Sequence, residues 1–171
     1  MAAVHELDFL IEKSLTALAA DEHVRRWNAK ENDWVSYFVF RYLLQGCSPN
    51  GVLRHPAQIA IEVGVAQPKT YGAAKAVRRD IVIWPDVGMT CWGQNWEPAQ
   101  HPLTIVEWKV HRAGRKNRLV ERERKWLRTY CREQPTVVCY AIEVDDAAHS
   151  QAITCSRFLG HDEISEWKKF R

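Results

Sequence analysis

With 171 residues, 46% of them apolar and eight of them tryptophan, the chain is long and apolar enough for one globular domain with a substantial core. Its start lacks a basic-then-apolar segment, its apolar stretches fall short of the roughly 20 residues of a membrane span, and its five cysteines form no C-x-x-C pair; the expectation is therefore no signal peptide, no membrane-spanning helix and no zinc module, with reduced thiols in a cytoplasmic protein. The net charge of +3 conceals a division, because His111 to Arg132 holds nine Lys or Arg against two Glu and the remainder of the chain is net acidic.

In chain order, HELDFLIEKSLTALAADEHVRRW places apolar residues at 7, 10, 11, 15 and 18, which predicts an N-terminal helix over about 5–25. ENDWVSYFVFRYLLQG predicts a second helix, with Asn28 as N-cap, Glu31 three residues on as in a capping box, and Gly46 as the stop. PAQIAIEVGVA alternates at period 2 and reads as a strand, QPKTYGAAKA as a turn, and RRDIVIW as a second strand closed by Pro85. PDVGMTCWGQNWEPAQHP, rich in Pro and Gly, predicts a long loop or ragged hairpin before the third strand, LTIVEWKV. NRLVERERKWLRTYCRE is amphipathic, with Leu119, Glu123, Trp126, Leu127 and Tyr130 near one face. TVVCYAIEV reads as a fourth strand buried on both faces, QAITCSRFLG as a fifth, and DEISEWKKF as a short final helix. The first three strands can form a meander. The helix between the third and fourth is a crossover that makes those two parallel. The expected fold is α/β, a mixed sheet of four to five strands flanked by helices, in a single domain with its core at about 28–145 and a C-terminal strand and helix at 150–171.

The third strand poses the functional question. Strand side chains alternate, so Glu107 and Lys109 share a face, a carboxylate beside an ammonium. The E-x-K pattern recurs at Glu123/Lys125 and Glu166/Lys168, but both of those lie in stretches read as helical, where residues two apart do not face each other. Asp80 opens the preceding strand, so if the two strands pair, Asp80 and Glu107 converge. Two carboxylates at one point repel unless a cation joins them. Oxygen ligation with few protein ligands suits Mg²⁺, with Mn²⁺ as a substitute. Lys109 beside them can orient a water or stabilise charge developing on phosphate.

The order RRDIVIW, loop, LTIVEWKV, helix, strand resembles the PD-(D/E)XK nuclease superfamily, whose fold is restriction-endonuclease-like. The resemblance spans about residues 28–145. It implies Asp80 as the motif aspartate, Glu107 and Lys109 as the E-x-K pair, and Glu31 on the preceding helix as an additional acid. Asp80 and Glu107 would then bind the metal, and all four residues would be catalytic. It implies hydrolysis of DNA phosphodiester bonds by a metal-activated water, or alternatively a catalytically inactive module of that fold that binds nucleic acid or a protein. One departure stands out: Arg79, not proline, precedes Asp80. A Pro-Asp pair does occur at Pro85-Asp86, after the strand, which leaves Asp86 as the alternative to Asp80, as Glu62 is to Glu31. Glu123 reads as the edge of its helix face.

The basic segment follows directly after this strand and suits a phosphate backbone, with Arg112, Arg115, Lys116, Arg118 and Arg122 as nucleic-acid contacts; the bland alternative is a solvated helix face. Arg124, Arg128 and Arg132 recur at four-residue spacing and predict an exposed helical row. Trp92 and Trp96 in the loop are candidates for stacking on unpaired bases, whereas Trp108 alternates into the core. His111 shares the face of Lys109 and reads as a surface histidine. A nucleic acid, DNA in the first place, is the expected partner. No membrane partner is expected, and a homodimer is an assembly open to it.

Overall fold

The structure, a computed structural model, describes residues 2–24, 27, 29–72, 75–112, 119–146 and 152–170. Among the described residues three α-helices and six strands follow one another as α1 (Ala2–Ala20), α2 (Glu31–Arg41), β1 (Ile59–Ala66), β2 (Ala76–Ile83), β3 (Thr104–Arg112), α3 (Leu119–Glu133), β4 (Val138–Asp146), β5 (Ala152–Leu159) and β6 (Asp162–Phe170). The six strands form one sheet in sequence order. β3 and β4 are parallel and every other neighbouring pair is antiparallel, so the α3 crossover acts as its length requires. The class is α/β with a mixed sheet, as the sequence predicts, but the sheet has six strands instead of four to five. The extra one is DEISEWKKF: it is a strand, β6, not a final helix, and it pairs with β5 across a two-residue turn at Gly160 (φ +56°) and His161. Glu166 and Lys168 therefore also lie on a strand. Among the described residues no helix is long and apolar enough to cross a membrane.

Two apolar cores lie on the two faces of the sheet. On one, Leu7, Ile11 and Leu15 of α1 and Trp34 and Phe38 of α2 pack against Ile81, Val106, Trp108, Tyr140 and Ile142. On the other, Trp126, Leu127 and Tyr130 of α3 pack against Val82, Ile105, Cys139 and Phe158. The alternation of β4 residues between these cores explains the continuous apolar run from Val138 to Ile142. The five cysteines are free thiols, and all but Cys47 are buried.

Polar side chains fix where the helices sit. Asp8 of α1 accepts from Tyr140 (2.7 Å) and from Arg157 (2.6 Å), which ties α1 to β4 and β5. α1 stops at Ala20, short of the expected 25, and Asp21 just beyond it accepts from Tyr37 (3.0 Å) and from Tyr42. The bond from Tyr42 does most to hold the Asp21 carboxyl below the usual range. α2 also ends before Gly46, at Arg41, and a 3-10 turn carries the chain from Leu43 to Gly46. Asn28 lies outside the described residues. The residue before α2 is Lys30, in extended conformation, and its amide donates to Asp33 (3.1 Å), so Asp33 and not Glu31 reaches back to cap the helix. Fully buried Gln58 accepts from the amides of Arg54 and His55 and donates to the carbonyl of Trp84 (3.0 Å), which closes the start of β1 onto the end of β2.

Candidate active site at the β2–β3 fork

β2 and β3 run together for only three residue pairs, Ile81 to Ile83 against Thr104 to Val106. β3 continues alongside β4 to Arg112. The two strands thus fork just where the ladder would next pair Asp80 with Glu107. Beyond the fork the Trp108 amide has no β2 carbonyl in the ladder, and the Asp80 carboxylate accepts it instead, at 2.7 Å. Asp80 is therefore placed by the backbone of β3 itself. On its other side, the pair Glu62/Asp80 is missing from an otherwise regular β1–β2 register, and Glu62 sits at φ +55°. A non-glycine residue there costs roughly 1–2 kcal/mol, so the departure from regular strand is a strained one.

Lys109 gathers carboxylates from both helical layers. Its Nζ donates to Glu31 of α2 at 2.7 Å and lies 3.5 Å from Glu123 of α3. The path to Glu31 is set by packing. Trp34 stacks on Trp108 at 6.3 Å and Phe38 lies 5.1 Å from it, which docks α2 over β3 with its first turn above the fork. Because Asp33 serves as the cap, Glu31 is free to meet Lys109. Lys109 is only 13% exposed. Burial alone would lower the pKa of its ammonium, but the bond to Glu31 and the charges of Asp80, Glu123 and Glu31 outweigh burial and raise it. The group is a charged donor, not a base.

Glu107 is 4% exposed and accepts from Arg79 at 2.7 Å, and the Arg79 guanidinium lies 3.6 Å above the Trp126 ring. Burial pushes the Glu107 carboxyl up to about 8; Arg79 works against this, and Asp80 and Glu123 add to it. Glu123 is likewise raised, first by burial, and its Oε2 is buried without a partner. The site thus sets four carboxylates, Glu31, Asp80, Glu107 and Glu123, against two cations, Arg79 and Lys109.

Glu107 makes stability depend on pH in a definite direction. The unfolded chain releases this proton near 4.5, whereas the folded protein keeps it to about 8. The contribution is complete below the lower value and is lost as pH rises through the higher one. Urea unfolding at pH 5 and pH 8 is expected to show wild type losing more stability than Glu107→Gln; equal losses would mean that Glu107 ionises normally.

Of the residues singled out in the sequence, Asp80, Glu107, Lys109 and Glu31 come together. Asp86 does not: it is exposed and lies 3.7 Å from Arg54. Glu62 is engaged loosely by Arg78 at 3.9 Å. Glu123 is no face edge, since it faces Lys109, and its place inside the apolar stripe of α3 was the signal for it. Arg79 is the other residue that sequence reasoning missed.

Among the described residues of the basic segment, two of the helical arginines are engaged by acids. Arg115, Lys116 and Arg118 lie outside the described residues, Arg112 ends β3, and Arg122 is exposed. The expected exposed row does not form. Arg124 is bonded to Glu143 (3.2 Å) and Glu163 (2.6 Å), Arg128 is bonded to Glu163 (2.5 Å), and only Arg132 of the three is exposed. His111 pairs with Glu143 at 3.0 Å. Trp108 is fully buried and Trp84 nearly so, whereas Trp92 is 40% and Trp96 80% exposed.

Among the described residues no three His, Cys, Asp or Glu side chains converge as a metal-binding group. Two grooves, of about 490 Å³ beside α1 and about 420 Å³ beside Glu133, include none of the fork residues. No family model matches the chain, and no curated protein and no solved structure matches it significantly.

Proposed function

We propose that the chain is a metal-dependent nuclease of the PD-(D/E)XK kind, with a restriction-endonuclease-like fold, that hydrolyses DNA phosphodiester bonds. The observation that carries this reading is the meeting of Asp80, Glu107, Lys109 and Glu31, from three elements distant in sequence, where β2 leaves β3.

The donor set fits a hard divalent cation. Four carboxyl groups meet around Arg79 and Lys109, and Glu123 Oε2 is buried without a partner, so the site offers oxygen donors that its own groups do not fully engage; a divalent ion there would displace the proton that burial favours on Glu107. Asp80 and Glu107 would hold the ion. Two protein ligands suffice for Mg²⁺, which keeps several waters and draws the rest from substrate phosphate. Bound there, Mg²⁺ or Mn²⁺ supplies a Lewis acid that polarises the phosphoryl group and lowers the pKa of a water. The remaining work belongs to the chain. Lys109, held charged and aimed by Glu31 and Glu123, donates to the attacking water or to the phosphoryl oxygens as their negative charge grows. Water adds to phosphorus in line with the departing oxygen, that P–O bond breaks, and the proton the water gives up ends, by way of solvent, on the departing oxygen. Cleavage of labelled DNA in Mg²⁺, and its loss in EDTA, tests this; no product with either Mg²⁺ or Mn²⁺ sinks it.

A second reading is a catalytically inactive module of the same fold that binds nucleic acid or protein. The ion pair of Glu107 with Arg79 favours it, since that pair already gives the carboxylate a cation.

The basic residues that follow β3 supply the contacts to DNA. Each phosphate that a side chain neutralises adds about 0.9 to the log–log salt slope of binding. Replacing Arg112, Arg115 and Lys116 with alanine is expected to shrink the slope by up to about three times that amount and to weaken binding to all sequences alike. Replacing Arg124 and Arg128, which are bound to Glu143 and Glu163, is expected to leave it unchanged. Fluorescence anisotropy across a salt series checks both; an unchanged slope in the triple variant moves the weight to a protein-binding module.

A further inference from the structure

We propose that Arg79 is the positioning residue of this site: its guanidinium, laid on Trp126, fixes the carboxylate of Glu107 in the orientation that the fork requires. The inference rests on the nuclease reading and deepens it.

Three observations point beyond a structural ion pair. The first is burial. Arg79 and Glu107 are 7% and 5% exposed in their side chains. Burying a guanidinium and its carboxyl partner so deep costs desolvation on both sides, and apolar residues of similar volume often stabilise as well or better, so stability alone does not account for it. The second is the unpaired donor. Arg79 Nε is buried without a partner, although Nη1 bonds Glu107 and the guanidinium plane covers Trp126. The guanidinium is placed for Glu107 and the ring at the expense of its own remaining hydrogen bond. The third is the backbone. Arg79 and Ile81 are two apart on β2 and should share a face. Ile81 packs in the core of α1 and α2, yet Arg79 lies over Trp126 of α3 on the opposite face. The alternation breaks between them, at Asp80, opposite the strained Glu62. One irregularity therefore delivers Asp80 to the Trp108 amide and Arg79 to Glu107 together. A proline before Asp80 has no side chain that can do the second.

Lysine keeps the charge but neither the planar fork nor the stack on the ring. Groups that orient a functional carboxylate are worth about 10- to 100-fold in activity or metal affinity. The test is the 171-residue wild type, Arg79→Lys and Arg79→Met, with folding checked by urea denaturation. The expected result is kcat for DNA cleavage reduced about 10- to 100-fold in Arg79→Met, KM changed less than about threefold, and partial recovery in Arg79→Lys. Calorimetry with Mn²⁺ alone gives a readout apart from activity: Arg79→Met is expected to change the Mn²⁺ Kd in the wild-type background and to change nothing in a Glu107→Gln background. Wild-type kcat in a folded Arg79→Met protein, or an equal effect of Arg79→Met on Mn²⁺ binding in both backgrounds, overturns the positioning role and leaves the nuclease reading standing. A wild-type chain that neither cleaves nor binds Mn²⁺ overturns both.

Discussion

Lys109→Met is expected to slow DNA cleavage by about 10²–10⁴-fold, the range for removing a positioned proton donor or charge-stabilising group. Lys109 has the geometry for that role: one bond of 2.7 Å to Glu31, a carboxylate 3.5 Å away on α3, and burial that raises the strength of its field. The sequence suggests that its loss leaves the fold untouched, because a lysine on the polar face of a strand leaves no cavity. The structure corrects this. Without the ammonium, Glu31 and Glu123 face each other, half-buried, with no cation between them. Methionine fills the volume, but stability is expected to fall by about 1–3 kcal/mol, the cost of leaving buried polar groups unpaired. Single-turnover cleavage separates the two effects, since the folded fraction is set independently by urea denaturation. A folded variant that cleaves at the parental rate removes Lys109 from the mechanism.

Asp80→Asn is expected to lower cleavage by at least about 10²-fold, the size of losing one placed electrostatic group, whereas Asp86→Asn leaves it unchanged. Asparagine keeps the oxygen that accepts the Trp108 amide, so the fork stays closed and only the charge is lost. Asp86 is 70% exposed and its nearest cation is Arg54, itself half-exposed. Calorimetric titration with Mn²⁺ should show weakened binding in the first variant and parental binding in the second. The reverse pattern would transfer the metal role to Asp86.

What could be read from the sequence follows the range of the interactions involved. Period and turn residues mark β1 to β5, and the length of the α3 segment predicts the parallel pairing of β3 with β4. Glu107 and Lys109 are legible because two-residue spacing on one strand fixes a shared face. DEISEWKKF was misleading because its charges and apolar residues are compatible with a helical period. The decisive signal was the two-residue spacing between Leu159 and Asp162, with Gly160 at positive φ, that makes a tight hairpin. Glu31 could be identified as an acid at the start of α2, but its meeting with Lys109 depends on Trp34 stacking on Trp108, a contact across 74 residues. Arg79 was not legible at all. Strict alternation assigns it to the face of Ile81, and the break that turns it to Glu107 occurs opposite Glu62, a residue whose type gives no hint of a left-handed backbone. The helical arginines show the opposite error: spacing predicts a row, but whether the row is open depends on Glu143 and Glu163, which β4 and β6 bring beneath it.

The most direct test of the central claim is cleavage of end-labelled DNA, single- and double-stranded, by the 171-residue chain in Mg²⁺, in Mn²⁺ and in EDTA, with Asp80→Asn and Lys109→Met run in parallel. The fork as described predicts products with wild type in either metal, none in EDTA, and a loss of at least about 10²-fold in each variant. Cleavage by wild type that both variants match, or DNA binding without cleavage under every condition, would contradict it.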